Sequence, residues 1–174
     1  LTERCSLRCV YCMPEDGVNL TKASKLLSAE ETVRVARVFV NAGVNKIRLT
    51  GGEPTVRKEL PEILSALDEL RPLGVRFFFF RCERIASTAV PASARRLPCA
   101  HPLARAPTAP SQLEQIAMTS NGIALPRTLP NLVSRGLDRL NLSLDTLDRS
   151  QFVTLTRRDG LARVLKAIDV ALEH

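Results

Sequence analysis

The sequence predicts an α/β fold with parallel strands and helices outside them. Three observations carry that expectation. Stretches with strand alternation, Lys46–Thr50, Gln115–Met118 and Asp138–Leu144, are interleaved with stretches of helical spacing. Each of these strands runs into a polar or glycine-bearing turn. The chain is 174 residues long and 45% apolar, enough for one buried core, with no run of about 18 apolar residues that would cross a membrane. Such β–α alternation argues for a parallel sheet covered by helices.

The first element is a loop, Cys5-Ser-Leu-Arg-Cys9-Val-Tyr-Cys12, with C-x3-C-x2-C spacing. It can direct three thiolates at one inorganic centre. An iron–sulfur cluster normally takes four cysteines, so three leave one iron open to a small molecule. The competing readings are a zinc site, which usually completes four ligands, and three core thiols. The cysteine total is five, an odd count that argues against a disulfide framework. Cys82, Cys99 and His101 are read as incidental.

Residues 14–25 are polar, without period, and read as a connection. Ser28-Ala-Glu-Glu31 is a capping box, and the helix behind it buries Val33, Ala36 and Val40 until Gly43 stops it. In Lys46–Thr50, Ile47 and Leu49 face one side, while Lys46, Arg48 and Thr50 face the other. Gly51-Gly-Glu-Pro54 is the turn at its end. Leu60, Ile63, Leu64, Leu67 and Leu70 mark the next helix, with Pro61 tolerated in its first turn and Pro72 and Gly74 ending it.

Val75–Gln112 interrupts this rhythm. It opens on Phe77–Phe80 and continues as an Ala/Pro/Arg-rich tract without a period that builds a packed element. The chain carries +7, of which this tract holds +5, leaving +2 elsewhere. The basicity therefore does not argue for a nucleic-acid partner. Phe77–Phe80 reads as an exposed aggregation liability.

After Leu113 the order returns. Gln115–Met118 reads as a short strand and Thr119-Ser-Asn-Gly122 as a turn. Leu129, Leu132 and Val133 mark a helix followed by Gly136. Leu140, Leu142 and Leu144 alternate along the next strand, and Asp145-Thr146 begins a connection. Leu161, Val164, Leu165, Ile168 and Leu172 mark the last helix. In β/α folds function gathers at the C-terminal ends of strands. The cysteine loop, Gly51–Pro54, Thr119–Gly122 and Ser143–Asp145 are thus expected to share one rim. Gly51 and Gly52 permit close backbone approach there, and Glu53 is placed to accept from an ammonium group.

These motifs resemble the radical SAM superfamily. The strings Thr2–Pro14, Lys46–Pro54, Thr119–Gly122 and Asn141–Asp145 resemble, within it, the GTP 3′,8-cyclase family of molybdenum-cofactor biosynthesis. The resemblance covers about residues 1–74 and 113–174. It implies a partial (β/α) radical SAM barrel, truncated at both ends. It implies that Cys5, Cys9 and Cys12 hold a [4Fe–4S] cluster with S-adenosylmethionine on its open iron. Tyr11, Gly52 and Ser143 match positions that contact S-adenosylmethionine, and Glu53 would accept from its methionine ammonium. Arg48, Thr119 and Lys46 match positions that contact GTP. The implied reaction takes the ribose 3′ hydrogen of GTP and joins C3′ to C8 of guanine. No residue is assigned as an acid–base catalyst.

The resemblance also sets expectations about what lies outside this chain. It implies a further basic residue before Leu1, and a C-terminal half with a second [4Fe–4S] cluster. The chain is thus expected to be a fragment, inactive alone. An electron donor is implied, a homodimer is allowed, and neither nucleic acid nor membrane is expected. The location is mitochondrial for a eukaryotic source and cytoplasmic for a bacterial one. Competing readings are another radical SAM enzyme and a non-catalytic iron–sulfur or metal-binding module. Residues 75–112 have no counterpart in the family, and joining Gly74 to Leu113 restores helix, short loop and strand. The segment is read as a retained intron, since Val75 can be encoded by a GT-starting codon and Gln112 by CAG, as splice boundaries would require.

Overall fold

The computed structural model describes residues 1–71 and 113–174. Three strands, β1 (Lys46–Leu49), β2 (Gln115–Ser120) and β3 (Arg139–Leu142), form one parallel sheet in the order β1-β2-β3. Among the described residues five α-helices accompany them: α1 (Ala29–Asn41), α2 (Leu60–Asp68), α3 (Leu125–Ser134), α4 (Arg149–Thr156) and α5 (Leu161–Glu173). The register sets Arg48 beside Ala117 and Ala117 beside Arg139, and sets Thr119 beside Asn141.

Local chemistry accounts for the element ends. Ser28 Oγ accepts from Glu31 N–H, and Glu31 reaches back to Ser28 N–H, so the capping box forms as expected. After α1, Gly43 N–H bonds Val40 O and Val44 N–H bonds Phe39 O. Gly136 and Leu137 repeat that closure after α3 on Val133 O and Leu132 O. Both glycines take a φ of +101°, which side-chain-bearing residues rarely adopt.

One face of the sheet is the core. Leu49, Ile116 and Met118 pack against Leu60, Ile63, Leu64 and Leu67 of α2 and Leu125, Leu129 and Leu132 of α3. By alternation, the opposite face carries Lys46, Arg48, Thr119, Arg139 and Asn141, all exposed except the half-buried Thr119. At the N-terminal end of the strands, Arg71 forks onto both oxygens of Asp138, and Asp138 Oδ2 also accepts Ile116 N–H at 2.7 Å.

Four expectations change. β2 runs two residues further than its apolar stretch, because Thr119 and Ser120 pair with Asn141 and Leu142. Thr119 is therefore a strand residue, not part of a turn. β3 closes at Leu142, although Ser143 N–H continues the ladder on Ser120 O. The connection after Asp145 contains α4, capped by Asp148, whose Oδ1 accepts Gln151 N–H. In α5 the buried face is Leu161, Val164 and Ala167; Leu165 and Leu172 are exposed. Pro72, Gly74, Phe77–Phe80 and the rest of 75–112, with Cys82, Cys99 and His101, lie outside the described residues.

Candidate functional site

The cysteine loop is held from two sides. Before it, residues 1–4 run alongside the turn that follows β1. Gly52 N–H bonds Thr2 O at 2.7 Å and Glu53 N–H bonds Arg4 O at 2.8 Å. The two glycines are what admit this approach. A Cβ on Gly51 would stand 2.5 Å from Thr2 O, and one on Gly52 would stand 2.4 Å from Arg4 O. Gly51 also has a φ of +148°.

On its other side the loop docks on the end of α4. Arg8 N–H bonds Thr156 O at 3.0 Å and Val10 N–H bonds Leu155 O at 2.8 Å, so the loop uses carbonyls that a helix end leaves without partners. Leu7 and Cys9 are buried with Phe152, Leu161 and Val164, and Cys5 packs at the edge of that group. Cys12 stays exposed. Inside the loop, Cys9 O accepts from both Cys12 N–H and Met13 N–H. Burial pushes the Cys9 thiol pKa up; hydrogen bonding to Tyr11 opposes this, and the nearby Cys12 and Cys5 thiols add to it.

Glu53 is turned inward and is 1% exposed. Its Oε1 accepts from Thr55 N–H, Thr55 Oγ1 and Ser120 Oγ, and its Oε2 accepts from Asn121 N–H at 2.7 Å. These four donors place Glu53 beneath the rim, where it joins the Gly51–Pro54 turn to the end of β2. The ammonium role expected of it meets no exposed carboxylate oxygen here.

Asn121 carries the connection up to the loop. Its Nδ2 donates to Cys5 Sγ at 3.6 Å and Ser6 Oγ at 3.1 Å, while Oδ1 accepts Ile123 N–H at 3.1 Å. On the far side, Tyr11 Oη donates to Asp145 Oδ2 at 2.6 Å. That bond, with burial second, pushes the Tyr11 pKa far above its usual range. Gly52, Ser143, Asp145 and Tyr11 are all exposed at this edge. The rim expected from the strand ends is therefore assembled, with Thr119 one register step below it.

Lys46 and Arg48 lie on the polar sheet face under the rim. Arg139 and Asn141, which sequence reasoning passed over, share that face, with Arg139 at the height of Arg48 across Ala117. The signal was present: Arg139, Asn141 and Ser143 alternate with the leucines of β3.

Among the described residues, no three His, Cys, Asp or Glu side chains close around a point suited to a single metal ion. The cysteine loop carries three free thiols, at Cys5, Cys9 and Cys12. Its donor set fits a cluster: three thiols on a braced loop, an amide N–H on one sulfur, and an open side toward Tyr11 and Ser143.

The family described as the Radical SAM superfamily matches residues 1–174. A mitochondrial GTP 3′,8-cyclase of Arabidopsis thaliana is 46% identical over 173 residues, 99% of this chain and 34% of the relative. Molybdenum cofactor biosynthesis protein 1 of Drosophila melanogaster is 44% identical over 173 residues, 99% of this chain and 24% of the relative. A GTP 3′,8-cyclase of Corynebacterium glutamicum is 35% identical over 173 residues, 99% of this chain and 36% of the relative. The chain thus spans about a third of the length of the two cyclases and about a quarter of the fly protein.

Proposed function

The chain belongs to the radical SAM superfamily, and from that premise we propose that it is the cluster-bearing part of a GTP 3′,8-cyclase of molybdenum-cofactor biosynthesis. The observation that carries this reading is the meeting of the braced cysteine loop, the Gly51–Pro54 turn and Ser143–Asp145 at one rim, above a cationic sheet face.

In this reading Cys5, Cys9 and Cys12 hold the [4Fe–4S] cluster, and Tyr11, Gly52 and Ser143 contact S-adenosylmethionine beside it. A cluster held there would supply the one-electron chemistry that activates S-adenosylmethionine for removal of the ribose 3′ hydrogen of GTP. The electron requires a donor, and the whole enzyme carries a second [4Fe–4S] cluster on further chain. Arg48 and Lys46 neutralise phosphate oxygens by charge-assisted hydrogen bonds, and Arg139 extends that surface across the sheet. Thr119 and Asn141 offer neutral polar groups one register step nearer the rim. Glu53 acts on position, holding two turns in register. A mitochondrial location accompanies this reading for a eukaryotic source, as named for the plant relative, and a cytoplasmic one for a bacterial source.

The test is anaerobic reconstitution with iron and sulfide, followed by electron paramagnetic resonance of the reduced protein. The expected result is a [4Fe–4S] signal that changes when S-adenosylmethionine is added and is lost in Cys9→Ala. Labelled GTP binding is expected to weaken in Arg48→Ala and Arg139→Ala and to fall with added salt. No cluster signal, or no response to S-adenosylmethionine, favours a metal-binding module without this chemistry. A response to S-adenosylmethionine with no affinity for GTP in the full-length enzyme favours a different radical SAM substrate.

A further inference from the structure

We propose that Asn121 is a positioning residue for the first cysteine, donating a hydrogen bond to the Cys5 sulfur that sets how readily the cluster accepts an electron. The inference rests on the reading of the cysteine loop as a cluster site, and is independent of GTP.

The geometry leaves this amide little freedom. Its backbone N–H is held by the buried Glu53 at 2.7 Å. Its Oδ1 is taken by Ile123 N–H at 3.1 Å, closing a local turn. That contact identifies the oxygen end of the amide, so the NH2 end must face the loop. There it meets Ser6 Oγ at 3.1 Å and Cys5 Sγ at 3.6 Å. Glu53 is itself fixed by Ser120 Oγ and by both donors of Thr55. An amide aimed at a sulfur from a braced turn is more than incidental packing.

The physical consequence follows from charge. A cluster gains one negative charge on reduction, and part of it resides on the ligand sulfurs. An N–H directed at a sulfur stabilises the reduced form more than the oxidised form and raises the reduction potential. The same contact holds the Cys5 side chain toward the rim before iron arrives.

Two variants of the reconstituted chain separate these effects. Asn121→Asp keeps the oxygen that closes the turn on Ile123 but removes the donor and adds a negative charge. Asn121→Leu removes both polar ends at similar volume. Redox titration followed by electron paramagnetic resonance should show a lower potential in both, with the Asn121→Asp variant lower than Asn121→Leu. The loss of one such bond is expected to reduce the reduced-to-oxidised ratio at fixed potential about tenfold, or ~59 mV for one electron. Asn121→Gln, which moves the donor without deleting it, is expected to recover part of the shift. Unchanged potential at full iron content in the Asn121→Asp chain overturns the inference and leaves the cluster reading standing. Failure of the unsubstituted chain to take up a cluster overturns both.

Discussion

At the scale of single residues, the rim depends on an absence of side chain. Gly52 sits where Arg4 O comes within 2.4 Å of any Cβ, and the obstructing atom is backbone, which cannot rotate away. Gly52→Ala is expected to lever residues 1–4 off the turn at a cost of about 1–3 kcal/mol. Urea unfolding measures that cost, and iron content after reconstitution reports whether the loop still closes. Tyr11 offers a second test, because it is the sole tyrosine in a chain with no tryptophan. Its hydrogen bond to Asp145 requires the protonated phenol, so the folded-state pKa lies above the usual value of 10.0. The stability drawn from this bond is fully present below that value and is lost as pH rises above it. Ultraviolet titration of the cluster-free chain should find the phenol ionising well above its usual range, and Asp145→Asn should bring it back down.

At the scale of elements, Glu53 is the tie between β1 and β2. It lies in the turn after one strand and accepts from Ser120 and Asn121 at the end of the next. Glu53→Gln keeps the volume but turns an N–H toward at least one of those donors. We expect a loss of about 1–3 kcal/mol in urea unfolding, with the loop's hold on iron weakened in parallel. The same elements show which parts of the fold were legible beforehand. The capping box at Ser28, the alternation of β1 and the stop glycines Gly43 and Gly136 are written in local sequence, and they form as expected. The length of β2 was not legible, because Thr119 and Ser120 resemble turn residues until Glu53 and β3 supply partners from elsewhere in the chain. Helix α4 was passed over although Asp148 and Gln151 mark its start. Its weak amphipathic pattern hides it, since its buried residues are only Phe152 and Thr156. The rim residues could be placed from strand ends alone. The contact of Asn121 with Cys5 could not, because it joins residues 116 positions apart.

At the scale of the whole molecule, the two flanks of residues 72–112 come together. Arg71 grips Asp138, and the same carboxylate accepts Ile116 N–H a few residues past Leu113. That junction lies at the N-terminal end of the strands, opposite the cysteine loop. Deleting residues 75–112 is therefore expected to leave the described fold and its capacity for iron unchanged, while reducing the net charge to +2. Circular dichroism, thermal melting and iron content of the deletion variant check this; a collapse of the melting transition would show that the segment belongs to the core. A further consequence concerns time. The amides of Arg8 and Val10 spend their hydrogen bonds on the last carbonyls of α4, so their exchange with deuterium should follow the opening of that eight-residue helix. The loop at the surface would then keep the clock of a helix end, releasing its grip only as often as α4 frays.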